Sequence, residues 1–210
     1  MFQFSKRQKI WLIIGILSFV TFVVFTLIVA FVDVNQVGLS HLNQFFLQRC
    51  GQNGVWEWVT DIIGYCLILV LLCLLICQIV QWVRRKSLFR VDRNLLLLDV
   101  ICCCLVVVYI FFEIVVVNYR PLLENGKAEA SYPSSHAMLF ATLLPLLIWQ
   151  VWYYIKSKSW RIVLTVILVC VLFVGLVGRL LSGVHWFTDI LAGIIISGAF
   201  NSLYMCLSKK

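Results

Sequence analysis

Between Ile10 and Val32 the chain runs for 23 residues without a charged side chain, directly behind Lys6, Arg7 and Lys9. A stretch that long and that apolar suits the hydrocarbon core of a bilayer, which about 20 helical residues suffice to cross. It is longer than the apolar core of a signal peptide and lacks a small-residue cleavage site, so it reads as an anchor that is retained. Five comparable stretches follow: Ile62 to Val83, Leu95 to Val117 (broken only by Asp99 and Glu113), Ala137 to Ile155 (with Pro145 inside), Ile162 to about Leu181, and His185 to Leu207. Proline is tolerated in lipid-embedded helices, and Pro145 is expected to kink its span. Hydrophobic residues are 63% of the chain and charged ones 12%, too little polar surface for a water-soluble domain. The pattern predicts an all-α polytopic membrane protein with six transmembrane helices and one membrane-embedded domain over residues 1–210. No internal repeat or low-complexity linker divides it.

The basic residues set the direction of the spans. Lys6, Arg7, Lys9; Arg84, Arg85, Lys86, Arg90, Arg93; Lys156, Lys158, Arg161; and Lys209, Lys210 all flank one side of such a bundle, thirteen of the 17 Lys and Arg. Only Arg49, Arg120, Lys127 and Arg179 fall on the other. That asymmetry in short loops predicts both termini inside. Trp11, Trp82, Trp152 and Trp160 then mark the inner interface, and Trp56, Trp58 and Trp186 the outer one. The net charge of +8 is thus a topology signal, and no nucleic-acid partner is expected. Nor does the sequence point to an obligate protein partner. In the first outer loop, Asp33 to Glu57, the spacing of Leu39, Leu42, Phe45, Phe46 and Arg49 predicts a short helix along the interface. Eight of the nine cysteines lie in apolar stretches and only Cys50 in a loop. They read as small hydrophobes rather than a disulfide framework, and with no histidine beside them no metal site is expected.

Three polar stretches fall on the outer side. The first is Glu113-Ile-Val-Val-Val-Asn-Tyr-Arg120-Pro121, where Pro121 must end the third span. The second, Tyr132-Pro133-Ser134-Ser135-His136, is a helix start with Ser134 as N-cap. Its first-turn N–H groups lack intrahelical partners and face the positive end of the helix dipole, a setting that favours anions. An ordinary capped helix with an interfacial histidine is the plainer alternative for this stretch alone. The third, Gly178-Arg179 through Ser182-Gly183 to His185 and Asp189, puts a histidine and a carboxylate four residues apart at a helix start. A carboxylate there can accept from one imidazole nitrogen and leave the other as a nucleophile. Mutual neutralisation of Arg179 and Asp189 is the alternative. Together, two arginines, a helix N-terminus and two histidines suit phosphoryl transfer through a phosphohistidine.

These residues, in this order, resemble the type-2 phosphatidate phosphatase superfamily of membrane lipid phosphatases. Its motifs are Lys-(six residues)-Arg-Pro, Pro-Ser-Gly-His and Ser-Arg-(five residues)-His-(three residues)-Asp. Arg179, His185 and Asp189 match the third motif, Pro133, Ser134 and His136 the second, and Arg120 and Pro121 the first. The resemblance implies that His185 attacks phosphorus, Asp189 orients its ring, and His136 protonates the leaving lipid oxygen. Arg120 and Arg179, with amides near Ser134 and Ser135, would hold the phosphoryl oxygens. It implies no metal and no cofactor, and a phosphate on an outer-leaflet lipid of a bacterial cell membrane as substrate. A polyprenyl diphosphate is favoured over phosphatidylglycerophosphate or phosphatidate. Soluble vanadate-dependent haloperoxidases share the pocket but not this composition, and a transporter would need broken helices that are absent here.

Three positions depart from the motifs: Ser135 replaces glycine, Gly178 replaces serine, and Glu113 stands where the family has lysine. Glu113 is two helical turns before Arg120, about 10 Å if the helix continues. Either it pairs with Arg120 while Lys127 supplies the missing cation, or the site is turned toward another substrate or weakened to a lipid-phosphate binder. Asp61 and Asp99 have no evident partner.

Overall fold

The computed structural model describes residues 4–35, 37–122 and 128–208. It contains α1 (Lys6–Phe31), α2 (Ser40–Cys50), α3 (Gly54–Arg85), α4 (Arg93–Ile114), α5 (Ser135–Tyr154), α6 (Lys158–Ser182) and α7 (Phe187–Leu207), with a 3₁₀ turn at Leu88–Arg90. All but α2 are long and apolar enough to cross a bilayer. The protein is an integral membrane protein with the six spans its hydropathy predicts. Polar side chains begin several helices: Ser5 and Gln8 form a capping box on α1, Asn53 accepts from Val55 N–H on α3, and Asp92 caps α4.

α5 is the most enclosed span, wedged between α6 and α7, while α1 lies along α7 and α3 along α6. Small residues allow the close approaches. A Cβ on Gly193 of α7 would come within 3.0 Å of Ser134 O and Met138 N at the start of α5. Lower on the same contact, Thr142 donates to Ser197 Oγ at 2.9 Å, so buried hydroxyls join helices that have no hydrophobic force between them in lipid. At the end carrying most of the basic residues, Asn94 C=O accepts from Gln150 (3.3 Å) and Tyr204 (3.1 Å), and Arg7 donates to Met205 C=O. These contacts tie α1, α4, α5 and α7 together away from the polar motifs.

Two expected boundaries move. The third span ends at Ile114, not Val117, so Glu113 and Arg120 do not share a helix face. Three consecutive valines, stiff at χ1 and better suited to extended backbone, follow Ile114. Instead of continuing the helix, Tyr119 pairs with Ala130 in a β-bridge; Arg120 N–H donates to Glu129 C=O and Ser131 N–H to Asn118 C=O, both at 2.9 Å. The last span begins at Phe187, leaving His185 in the preceding turn. Gly183 makes that turn at φ 67°, a left-handed value that a side chain resists, and a Cβ there would meet Gly51 O at 2.9 Å.

The helix expected in the first outer loop is α2. Its buried face carries Asn43, which exchanges two hydrogen bonds with Thr188 (2.9 and 3.1 Å), and Phe46 stacks on Phe187 at 3.9 Å. Leu42 and Phe45 remain exposed. α2 therefore clamps the first turn of α7, beside His185.

Candidate active site

The three polar motifs meet at the end of the bundle opposite the basic cluster. His185 is 4% exposed. Its Nδ1 lies 3.0 Å from Ser131 C=O and 3.0 Å from Ser131 Oγ. A carbonyl can only accept, so Nδ1 carries the proton and Nε2 holds the lone pair. Nε2 is buried and has no hydrogen-bond partner among the described residues. Burial, and after it the nearby Arg179, Arg120 and His136, hold the imidazole well below its ordinary pKa, so it is neutral. A neutral ring with one nitrogen tied down and the other bare is placed to act as a nucleophile.

The sequence suggested a direct bond between Asp189 and His185. The structure interposes Ser131: Asp189 Oδ2 is 4.0 Å from Nδ1, while Ser131 Oγ donates to Oδ2 at 2.5 Å. The fully buried Asp189 carboxylate also accepts from Asn118 Nδ2 (3.0 Å) and Trp186 N–H (3.1 Å). The reason is local. His185 precedes α7 while Asp189 is in its first turn, where the carboxylate caps the helix start, so the two are not stacked on one helical face as i, i+4 residues would be. Asn118 and Ser131 come from the stretches 115–122 and 128–134, which pair with each other.

Arg179 is 2% exposed and does not pair with Asp189. Its Nη1 donates to Thr60 Oγ1 (3.1 Å) and Asp61 Oδ1 (3.3 Å), both on α3. The same Asp61 oxygen is 3.2 Å from His136 Nε2. Arg120 forms an ion pair with Glu129 at 3.5 Å, and none with Glu113 occurs among the described residues. Glu113, Arg120, Ser131, Ser135 and His185 nevertheless line one small cavity of about 30 Å³. That cavity shares Tyr109 and Ser135 with a larger one of about 340 Å³, which runs between α3, α4 and α5 past Ile68, Leu105 and Leu139. A small polar cavity thus adjoins an apolar cleft, with His136 and Asp61 among the cleft's polar lining.

Ser134 caps α5 as expected, accepting from Ala137 N–H at 3.4 Å. Its own N–H is donated to Asp189 C=O at 3.0 Å and is not free for an anion, which corrects the expectation that this amide holds phosphate. The amides of Ser135 and His136 begin the helix, where no intrahelical acceptor exists. Lys127 lies outside the described residues. Asp61, Thr60, Ser131 and Asn118 are the site residues that sequence reasoning missed. Asp61 carried a usable signal, since it is a carboxylate within the first turns of a membrane helix, as Asp189 is. Ser131 and Asn118 carried none. No group of three or more His, Cys, Asp or Glu side chains poised to hold a metal occurs among the described residues.

The six-span bundle places His136 and Asp61 in the polar lining of an apolar cleft and His185 and Arg120 in the small cavity beside it, with Arg179 bonded to Asp61. Residues 114–210, which hold the matching residues of all three motifs, match the family model of the PAP2 superfamily. In three dimensions the chain resembles the crystal structure of a transmembrane PAP2-type phosphatidylglycerolphosphate phosphatase from Bacillus subtilis, with a TM-score of 0.67 over 91% of this chain and 94% of that one. Sequence identity is 16%, so the likeness is one of fold. No curated protein matches the chain significantly in sequence.

Proposed function

We propose that the protein hydrolyses the phosphate ester or anhydride of a membrane lipid through a phosphohistidine on His185. The observation that carries this reading is the state of that ring: neutral, Nδ1–H fixed on Ser131, and Nε2 buried and unpartnered beside Arg120, Arg179 and His136. In the first step Nε2 attacks phosphorus and the bond to the lipid oxygen breaks, with His136 giving that oxygen a proton. In the second, water attacks phosphorus, the N–P bond breaks, His136 recovers a proton and orthophosphate leaves. Arg120 and Arg179 balance the phosphoryl charge, and the first-turn amides of α5 add donors. The lipid chain lies in the cleft between α3, α4 and α5, whose apolar lining suits it.

The basic cluster at the opposite end supports a site facing the outside of the cell, in a bacterial cell membrane. A polyprenyl diphosphate is the favoured substrate. Phosphatidylglycerophosphate, after which the B. subtilis enzyme is named, and phosphatidate are the alternatives. Glu113 in the phosphate cavity favours a second reading, a member that binds lipid phosphate without cleaving it. The deciding experiment is phosphate release by detergent-purified protein from these three lipids with chelator present, wild type against His185→Ala. Release by wild type, lost in the variant, is expected. Absence of release together with tight lipid-phosphate binding would replace the enzyme reading with the binding one.

A further inference from the structure

The geometry points to Asp61 as an internal stand-in for the phosphoryl group, a carboxylate that occupies the site's donors when substrate is absent and helps expel phosphate after turnover. This rests on the phosphatase reading above and names how the same site is regulated. A single oxygen, Asp61 Oδ1, accepts from Arg179 at 3.3 Å and lies 3.2 Å from His136 Nε2. Those are a cation and a proton donor that a bound phosphoryl group would use. A phosphoryl oxygen and the carboxylate therefore compete for the same two partners, and both are negative.

Each partner also has a contact that does not involve Asp61. Arg179 is also held by Thr60 Oγ1, itself anchored by bonds to the Trp56 and Glu57 carbonyls at 3.0 and 2.8 Å. The His136 ring lies against the α3 backbone at Gly64, where a Cβ would stand 3.3 Å from its Nε2 and Cδ2. A carboxylate that spans both groups, each with a further contact of its own, acts through its charge. It stands on the cleft side of the pocket, with Ser135 and His136, where the lipid oxygen departs. Once the lipid alcohol has left and water has released orthophosphate from His185, Asp61 reclaims Arg179 and His136 and lowers the affinity for the product.

The test uses full-length protein in detergent with orthophosphate as probe. Its dissociation constant is measured by equilibrium dialysis and its inhibition constant during lipid-phosphate hydrolysis. Removing one like charge at this range is expected to tighten orthophosphate binding of Asp61→Asn about tenfold. Steady-state kcat should fall through slower release while single-turnover phosphoryl transfer persists, and Asp61→Glu should restore the wild-type inhibition constant. Misfolding cannot produce tighter binding. Unchanged or weaker orthophosphate binding in Asp61→Asn, with lipid hydrolysis intact in wild type, would overturn the stand-in role and leave the phosphatase reading standing. No hydrolysis and no orthophosphate binding by wild type would overturn both.

Discussion

Ser131→Ala isolates the link between His185 and Asp189. In the native protein the Ser131 hydroxyl donates to Asp189 at 2.5 Å and contacts His185 Nδ1 at 3.0 Å, while the Ser131 carbonyl independently accepts from Nδ1. Alanine removes the hydroxyl and keeps the carbonyl, so the Nδ1–H tautomer and the free Nε2 survive. Asp189 keeps two donors, Asn118 and Trp186 N–H. A hydrogen bond to a charged group contributes about 1.5–3 kcal/mol. In the proposed mechanism the loss falls mainly on the transition state, where attack by Nε2 would make the ring cationic and Asp189, 4.0 Å from Nδ1, would be its counter-charge through the hydroxyl. The expected result is a fall in kcat/KM of about 10- to 100-fold, because each 1.4 kcal/mol is tenfold. Asp189→Asn should cost at least as much, and the double variant little more than Asp189→Asn alone, because the two act as a unit. The assay is phosphate release in detergent, with gel filtration and a melting curve confirming the fold. Wild-type kcat/KM in Ser131→Ala alongside a severe loss in Asp189→Asn would refute the relay and assign the carboxylate's effect to the 4.0 Å contact alone.

Because burial, Arg179, Arg120 and His136 keep His185 neutral well below its ordinary pKa of about 6.5, its lone pair stays available into acid. The acid limb of kcat/KM attributable to the nucleophile should therefore lie well below pH 6.5; a limb at or above that value would contradict the buried-neutral ring. The same depression makes a stability statement: the ring's contribution is whole above about pH 6.5 and is lost as pH falls toward its depressed folded-state value, so melting temperatures should drop on the acid side. Glu113→Lys puts a cation into the small cavity that holds Arg120 and His185 and is expected to lower KM for lipid phosphate severalfold. An unchanged KM would show that Glu113 does not face bound phosphate.

Much of the fold was legible because lipid imposes a simple rule: uncharged runs of about 20 residues become helices whatever surrounds them. Ile10 to Val32 became α1 within a few residues, and Ser134 capped α5, since apolarity and capping are local properties. The end of the third span was not legible to the residue. Val115 to Val117 are as apolar as the helix before them, and the pairing of Tyr119 with Ala130, a contact made by tertiary folding, accompanies their departure from it.

In the site the division follows the same line. Motif order and spacing singled out His136, His185, Asp189, Arg120 and Arg179, and the structure draws these five side chains to one end of the bundle. The sequence could not determine the partners. Asp189 reaches His185 through Ser131, Arg179 turns to Asp61 instead of Asp189, Arg120 pairs with Glu129 and not with Glu113, and the Ser134 amide is taken by Asp189 C=O. Each of these pairings joins different elements, and hydrogen bonds reach only about 3 Å. Which donor meets which acceptor therefore depends on sub-ångström helix placement, set by contacts such as Gly193 against Ser134 and Asn43 on Thr188.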